Sequence, residues 1–195
     1  MNNAHFPQTI ALFGTSADPP TAGHQAILRA LGDRYDVVAV WASDNPFKSH
    51  QTSLDHRMMM LRLVIREIQP PYHNIMLRRD LSSSRSIETL EQAKAIWGED
   101  AQFVLVVGSD LAGQVTRWYK AQELLTQVQL LIVPRPGYSV QNGDIQRLEE
   151  MGANYAIADF QAPDVSSTAY RDRGDRSVVI PLVEDYIHQQ QLYAS

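Results

Sequence analysis

Short apolar runs alternate along this chain with segments in which apolar residues recur every three or four positions. Six runs predict β-strands: Thr9–Phe13, Val37–Trp41, Ile75–Leu77, Phe103–Val107, Leu130–Val133 and Tyr155–Ile157. Phe103–Val107 and Leu130–Val133 are nearly continuous Val, Leu and Ile, as is typical of parallel strands that are covered on both faces. We therefore expect the strands to form one buried parallel sheet.

Helical periodicity fills the stretches between these runs. The segments that show it are Leu54–Ile68, Ser86–Trp97, Ala121–Leu125, Ile145–Met151 and Pro181–Leu192. In the first of them, Met58, Leu61, Ile65 and Ile68 follow one another at spacings of three and four, which places them on one helical face. Alternation of strands and helices predicts an α/β fold with a Rossmann-like, doubly wound parallel sheet, in which ligands bind beyond the carboxyl ends of the strands.

Composition narrows the class of protein. The 195 residues are 44% hydrophobic and 20% charged, which fits one domain over 1–195 with a C-terminal helical piece from about Ser166. The absence of cysteine excludes disulfides and thiolate chemistry. No signal peptide precedes the first strand and no apolar run approaches the length of a membrane span, so we expect a cytoplasmic protein that does not enter membranes.

Charge and missing motifs exclude other classes. A net charge of −5 argues against non-specific nucleic-acid binding, although a small anionic substrate responds to local charge instead. The chain has no dinucleotide-binding glycine fingerprint, no Walker lysine and no cluster with metal-ligand spacing, so no protein-held metal is predicted. The sequence leaves the oligomeric state open, a homo-oligomer included.

The stretch Gly14–His24 carries the strongest candidate chemistry. It joins the first predicted strand to a helical pattern and contains Gly14, Thr15, Ser16 and Gly23. Such a junction gathers unpaired backbone N–H groups and the positive end of a helix dipole, which suits a phosphate. Thr21 and His24 are three residues apart and share a helical face, so both would point at that phosphate. The alternative is a tight turn with an ordinary solvated histidine.

Two later motifs also lie at predicted strand or helix ends. Gly108-Ser109-Asp110 follows a buried strand, where Gly108 would allow a ligand close to the backbone and Asp110 would accept hydrogen bonds from ribose hydroxyls; alternatively, Ser109 or Asp110 only caps the next helix. Val165–Arg171 combines the hydroxyls of Ser166, Ser167 and Thr168 with Arg171 at a predicted helix start. That set fits an oxyanion, or else a plain helix cap followed by a surface arginine.

Three further side chains have two interpretations each. Trp118 and Tyr119 are adjacent aromatics that would form a stacking wall for a flat ring, but core packing is the more common role of tryptophan. Lys48 follows the second predicted strand, where it would either reach a phosphate or remain solvated.

These motifs together resemble a known family. Thr21-Ala22-Gly23-His24 resembles the [His/Thr]-x-Gly-His signature of the nucleotidyltransferase superfamily, and the chain as a whole resembles the bacterial nicotinate-mononucleotide adenylyltransferases. The resemblance follows the family's order through Gly14–His24, Asn45–Lys48, Ser86–Leu90, Gly108–Leu111, Trp118 with Glu123-Leu124, Val133–Gly137, Val165–Arg171 and Pro181–Ile187, and His56–Met58 with Leu61 fits a family helix motif approximately. Three positions depart from the family pattern: Thr21 replaces a histidine, Ala17 replaces an aromatic residue, and Ser82–Arg85 replaces Gly-Pro-Ser-Tyr.

The resemblance implies an adenylyl transfer. The 5′-phosphate of nicotinate mononucleotide, with nicotinamide mononucleotide as a second candidate acceptor, would attack the α-phosphorus of ATP and release pyrophosphate, with Mg²⁺ arriving on ATP. His24 and Thr21 would be catalytic. The resemblance assigns ATP to Gly14, Thr15, Ser16, Gly23, Gly108, Asp110, Ser166, Ser167, Thr168 and Arg171, and it assigns the mononucleotide to Lys48, Ser86, Trp118 and Tyr119.

Other functions stay open at this stage. Pantetheine-phosphate adenylyltransferases carry threonine at the position of Thr21, so phosphopantetheine is an alternative acceptor. The departures at Thr21 and Ala17 also leave a nucleotide-binding regulatory protein without catalysis, and a structural α/β domain is the third reading.

Overall fold

A parallel six-stranded sheet forms the centre of the molecule. In a computed structural model the described residues are 8–44 and 52–193. The strands are β1 Thr9–Thr15, β2 Val37–Ala42, β3 Ile75–Leu77, β4 Gln102–Gly108, β5 Gln129–Val133 and β6 Asn154–Ile157. Their order across the sheet is β3-β2-β1-β4-β5-β6, and every neighbouring pair is parallel. The predicted fold class is confirmed, and each of the six apolar runs forms a strand.

Helices cover the sheet. They are α1 Ala22–Gly32, α2 Leu54–Arg66, α3 Ser86–Trp97, α4 Ala112–Val115, α5 Ala121–Leu125, α6 Asn142–Glu150, α7 Ser167–Arg173 and α8 Pro181–Gln189. Helix α2 packs against α1 and α8, whereas α3 packs against α5 and α4 against α6. Right-handed crossovers from parallel strands place these two groups on opposite faces. None of the helices within the described residues is long and apolar enough to cross a membrane.

Several element ends differ from the sequence prediction for local reasons. Strand β1 continues past Phe13 because Gly14 and Thr15 pair with Trp41 and Ala42 of β2. Helix α6 begins three residues before Ile145, since its first turn, Asn142-Gly143-Asp144, is polar and shows no apolar period. Helix α8 ends at Gln189, before the left-handed backbone of Gln191 (φ 53°) and Tyr193 (φ 58°).

The sheet contains one point at which the direction of winding reverses. From β1 the chain proceeds outward to β2 and β3, and from β4 it proceeds the other way to β5 and β6. The carboxyl ends of β1 and β4, at Thr15 and Gly108, therefore flank a crevice, which is where doubly wound sheets bind ligands. Two of the motifs that the sequence singled out, Gly14–His24 and Gly108–Asp110, both lie at this crevice.

Candidate active site

His24 is held at the first turn of α1 with one ring nitrogen fixed as an acceptor. Thr21 precedes the helix as its N-cap residue, and its backbone N–H donates to His24 Nδ1 over 2.9 Å. A neutral imidazole carries a single proton, so this proton lies on Nε2. Nε2 is 2.8 Å from Thr15 Oγ1, to which it donates. Thr21 and His24 lie side by side, as the sequence predicts, but the Thr21 hydroxyl contacts the ring, with Oγ1 3.0 Å from Nδ1.

The environment of His24 keeps the ring uncharged. The side chain is half-buried, and Thr21 beside it is 1% exposed. Burial is the main cause that lowers the pKa of His24 to about 4, and the positive charge of Arg135 contributes in the same direction. At neutral pH the ring is therefore a neutral hydrogen-bond donor with its direction set by Thr21.

Arg135 and Asp110 form the opposite side of the crevice, after β5 and β4. Arg135 Nη1 donates to Asp110 Oδ2 over 3.0 Å, and the Arg135 backbone N–H donates to Ser109 Oγ over 2.9 Å. Asp110 Oδ1 is buried and has no hydrogen-bond partner in the part of the chain that the structure describes. An acceptor of this kind suits a donated hydroxyl of a ligand.

Gly108 is what lets Asp110 occupy this position. A Cβ atom at Gly108 would lie 2.3 Å from Asp110 Oδ1, closer than any real contact. Neither Ser109 nor Asp110 caps a helix through its side chain, since the residues preceding the short helix Ser109–Leu111 and α4 make no such bond. Gly14 has a comparable packing role at the end of β1, because a Cβ there would lie 2.7 Å from the Trp41 ring.

Side chains from distant helices hold the loop between β1 and α1 by its carbonyl groups. Arg57 Nη1 donates to Ser16 O over 2.9 Å. Ser167 Oγ donates to Pro19 O over 2.7 Å, and Arg171 Nη1 donates to Asp18 O over 2.5 Å. The structure thus brings the start of α7 onto the Gly14–His24 loop, which joins two motifs that are far apart in the sequence.

The predicted oxyanion group at α7 divides into distinct contacts. Ser166 is the N-cap residue and accepts from the Ala169 N–H over 3.1 Å. Thr168 is exposed, and its hydroxyl accepts from Arg171 Nη2 over 3.4 Å. Together with Ser167 and Arg171, these residues form a polar edge directly beside the loop.

The predicted mononucleotide residues lie at α3 and before α5. Ser86 is the first residue of α3 and is half-buried. Trp118 packs partly against the core, whereas Tyr119 is 53% exposed. The Arg85 guanidinium lies over the Tyr119 ring, with Cζ 4.3 Å from its centroid. Lys48 lies outside the described residues.

Arg57 has no site role in the sequence prediction, where it belongs only to an approximate match to a family helix motif, yet it supports the loop. Its side chain is among the most fully buried in the protein, at 1% exposure, and it also donates to Ser43 O over 2.8 Å. Burial lowers the pKa of Arg57, while the negative charges of Asp18 and Asp44 act to raise it. The signal was present in α2, since positions 57, 61 and 64 follow the i, i+4, i+7 spacing of a buried face.

Arg135 was missed for a different reason. It lies in Val133–Gly137, a motif of the family resemblance to which no role was assigned, and nothing in the local pattern indicates that a residue after β5 reaches Asp110 after β4. The adjacency of these two strands in the sheet supplies that information.

Comparison with known families agrees with this geometry. A family model described as cytidylyltransferase-like matches residues 12–173. The chain belongs to this family. The matched range includes the loop after β1, His24, Arg135 and the start of α7. These crevice residues therefore all lie in the part of the chain that the family model covers.

Two relatives carry the name nicotinate-nucleotide adenylyltransferase. A Synechocystis protein named "Probable nicotinate-nucleotide adenylyltransferase" is 44% identical, over 94% of this chain and 98% of its own length. A Bacillus subtilis protein named "Nicotinate-nucleotide adenylyltransferase" is 27% identical, over 95% of this chain and 98% of its own length. The family resemblance seen in the sequence motifs is thereby confirmed.

Solved structures confirm the family fold. The Plasmodium falciparum nicotinic acid mononucleotide adenylyltransferase complexed with NaAD superimposes with a TM-score of 0.81 at 21% identity. That match covers 95% of this chain and 97% of the Plasmodium chain. The same Plasmodium protein complexed with APC gives a TM-score of 0.79.

Proposed function

We propose that this protein transfers the adenylyl group of ATP to the 5′-phosphate of nicotinate mononucleotide. The observation that carries the proposal is the fixed His24 ring, whose Nε2–H donor lies at the crevice between β1 and β4. The names of the relatives, at up to 44% identity over nearly the full length, supply the acceptor. Because both substrates are intracellular metabolites, we assign the reaction to the cytoplasm.

The proposed step is a displacement at the α-phosphorus of ATP. An oxygen of the mononucleotide 5′-phosphate forms a new bond to this phosphorus, and the bond to the oxygen bridging the α- and β-phosphates breaks. That oxygen leaves with the electron pair as part of pyrophosphate. The products are a dinucleotide and pyrophosphate. Since no covalent enzyme intermediate is needed, the protein contributes alignment and stabilisation of charge on the transferring phosphoryl oxygens.

His24 supplies the central stabilising contact in this proposal. On binding of ATP, its Nε2–H exchanges Thr15 Oγ1 for an α-phosphate oxygen. Thr21 acts through His24, since its N–H and hydroxyl both lie within 3.0 Å of Nδ1. A neutral donor suits this role, because it needs no change of protonation as charge develops.

The triphosphate and ribose contacts come from both sides of the crevice. We propose that the backbone of Gly14, Thr15, Ser16 and Gly23 and the polar edge of Ser166, Ser167, Thr168 and Arg171 bind the phosphates. Asp110 binds the adenosine ribose beside Gly108. Its buried Oδ1 supports this role, as a ribose hydroxyl would supply the missing donor.

The mononucleotide would lie between α3 and α5. We propose that Trp118 stacks on the pyridine ring, with Tyr119 and Ser86 beside it and Lys48 near the 5′-phosphate. Arg85, which also pairs with Glu88 Oε1 at 3.3 Å, places its guanidinium over Tyr119, and we propose that this cation favours nicotinate, since only nicotinate carries a carboxylate.

Mg²⁺ belongs to the substrate in this proposal. Across residues 8–44 and 52–193, no group of three or more His, Cys, Asp or Glu side chains is arranged to hold a metal ion. The donor set therefore fits a magnesium ion bound by phosphate oxygens and water, as is usual for Mg²⁺ with nucleotides.

Pyrophosphate release tests the proposal directly. The protein is incubated with ATP and Mg²⁺ and with nicotinate mononucleotide, nicotinamide mononucleotide or phosphopantetheine in separate reactions. We expect turnover with nicotinate mononucleotide and a lower kcat/KM with nicotinamide mononucleotide. Turnover with phosphopantetheine alone would replace the proposed acceptor. ATP binding by calorimetry without turnover on any acceptor would favour a regulatory protein.

A further inference from the structure

The C-terminal end of the chain reaches the active-site loop through Tyr193. The Tyr193 hydroxyl donates to Asp18 Oδ1 over 2.6 Å, although the two residues are 175 positions apart. Thr52 Oγ1 donates to the same oxygen over 2.8 Å. Asp18 is 3% exposed and Thr52 is 8% exposed, so this contact is shielded from water. Tyr193 lies beyond the part of the chain that matches the family model.

The backbone near Tyr193 indicates that the contact is strongly determined. Gln191 and Tyr193 have φ values of 53° and 58°, in the left-handed region that residues with a Cβ seldom adopt. The Tyr193 ring packs edge-to-face against Tyr170, with centroids 5.6 Å apart and an interplanar angle of 72°. Burial, followed by the hydrogen bond to Asp18, raises the pKa of Tyr193, so its hydroxyl remains a donor at neutral pH.

Asp18 is the residue through which this contact reaches His24. Its carboxylate accepts hydrogen bonds from the hydroxyls of Tyr193 and Thr52, and its backbone carbonyl accepts one from the Arg171 guanidinium. Three residues further along, the N–H of Thr21 fixes the His24 ring. A shift of Asp18 therefore displaces the group that orients the Nε2–H donor, and misplacement by about 1 Å can cost roughly a hundredfold in rate.

We propose that Tyr193 is a positioning residue of the transfer reaction, which acts on His24 through the carboxylate of Asp18. The inference rests on the proposed function for its kinetic consequence. The hold of Tyr193 on the loop is a separate physical property, and it is measurable without turnover.

The first test compares two tyrosine-to-phenylalanine variants. Tyr193→Phe keeps the ring against Tyr170 and removes only the hydroxyl. Tyr186→Phe is the matched control, because it removes a hydroxyl from α8 that contacts His56 Nδ1 at 2.8 Å and does not reach the loop. We expect Tyr193→Phe to lower kcat about tenfold with KM for ATP changed less than about twofold, as for an interaction made in the transition state. Tyr186→Phe should stay within about twofold of the unaltered protein, because the variant keeps the ring packed against the core and loses only the contact with His56.

A double-mutant cycle separates positioning from a loss of folded protein. Tyr193→Phe, Asp18→Ala and the double variant are assayed well below their melting temperatures. If Tyr193 acts through Asp18, the tyrosine change lowers kcat no further in the Asp18→Ala background. Should Asp18→Ala fail to fold, Thr52→Val replaces it, and this variant should lower kcat in the same direction as Tyr193→Phe. Additive effects, or a kcat of Tyr193→Phe within twofold of the unaltered protein, would overturn the proposal.

Hydrogen exchange of the amides in residues 16–24 provides the measurement that does not depend on activity. We expect faster exchange in Tyr193→Phe and unchanged exchange in Tyr186→Phe. If the unaltered protein turns over no acceptor, the proposed function fails while this measurement still decides the hold of Tyr193 on the loop. Equal exchange in all three proteins would contradict the inference.

Discussion

The two ring nitrogens of His24 have different partners and hence different tasks. Nδ1 accepts from Thr21, which leaves Nε2–H as the group that meets the substrate in the proposed function. Because Thr15 Oγ1 accepts a hydrogen bond from Nε2–H in the structure, the donor is already oriented before ATP binds. Such preorganisation lowers the barrier, since no reorientation is needed when charge develops.

Removing the imidazole should abolish most of the activity. We expect His24→Ala to lower kcat by about 10²–10³, the typical cost of losing one charge-stabilising donor. Steady-state pyrophosphate release with nicotinate mononucleotide provides the measurement. His73→Ala is the control, because His73 is exposed in the turn before β3. A His24→Ala variant that keeps most of its kcat would remove the central role of this residue.

Arg85 should contribute to the choice between the two pyridine mononucleotides. Its guanidinium lies over the ring of Tyr119, the residue that follows Trp118 in the chain, and a nicotinate carboxylate bound there would gain from this positive charge. We expect Arg85→Ala to raise KM for nicotinate mononucleotide about threefold to tenfold, as for a partly exposed charge contact, and to change KM for nicotinamide mononucleotide much less.

The control for this change is Arg85→Lys, which keeps the positive charge and should retain most of the preference. Equal increases in KM for both acceptors in Arg85→Ala would indicate that Arg85 only supports Tyr119.

Helix α2 connects the core to the active-site loop through a single buried cation. Arg57 bonds the carbonyls of Ser16 and Ser43, while its Nε has no hydrogen-bond partner within the described residues. Arg57→Met keeps much of the side-chain volume but leaves two carbonyl groups without this donor. We expect the free energy of unfolding to fall by about 2–4 kcal/mol, measured by urea denaturation.

Arg62→Met on the exposed face of α2 provides the comparison and should change stability by less than about 0.5 kcal/mol. If the two variants were equally stable, the buried hydrogen bonds of Arg57 would not contribute measurably to the fold.

Element types followed closely from the sequence, whereas some element ends did not. Ser86–Trp97 and Ala121–Leu125 form helices with the predicted bounds because their apolar spacing covers the whole segment. Helix α2 ends at Arg66 rather than Ile68, and Pro70 follows soon after. The apolar period of Ile65 and Ile68 overstated the length, because Ile68 is buried in the core although it lies beyond the end of the helix.

The whole molecule should respond to acid through His24. The folded pKa of about 4 lies below the ordinary value of 6.5, so the unfolded chain takes up a proton first as the pH falls. The stability that neutral His24 contributes is therefore fully present above pH 6.5 and is lost between pH 6.5 and 4. Between pH 7 and 4.5 we expect the unaltered protein to lose about 2 kcal/mol more stability than His24→Gln.

Urea denaturation of both proteins at the two pH values measures this difference. The variant shares every other titrating group, so their contributions cancel in the comparison. Parallel stability curves for the two proteins would contradict the lowered pKa of His24.

Site assembly is the part that required the three-dimensional structure. Local pattern sufficed for His24 and Thr21, because the strand, turn and helix start that hold them are consecutive in the chain. Arg57, Arg135 and Tyr193 reach the site through contacts between residues 25 to 175 positions apart. Such contacts depend on which strands are neighbours and on where the chain end packs, and no local periodicity carries that information.

The carbonyl contacts of the loop after β1 explain how an acidic protein can receive a highly negative ligand. Three side chains, those of Arg57, Ser167 and Arg171, donate hydrogen bonds to backbone carbonyl oxygens in this loop. The acceptors are the carbonyl groups of Ser16, Pro19 and Asp18, respectively. A carbonyl oxygen that already accepts a hydrogen bond repels a nearby anion less. In the proposed function, this chain with a net charge of −5 would bind its anionic ligand at one loop, where the carbonyl dipoles are satisfied and two of the donors are arginine cations.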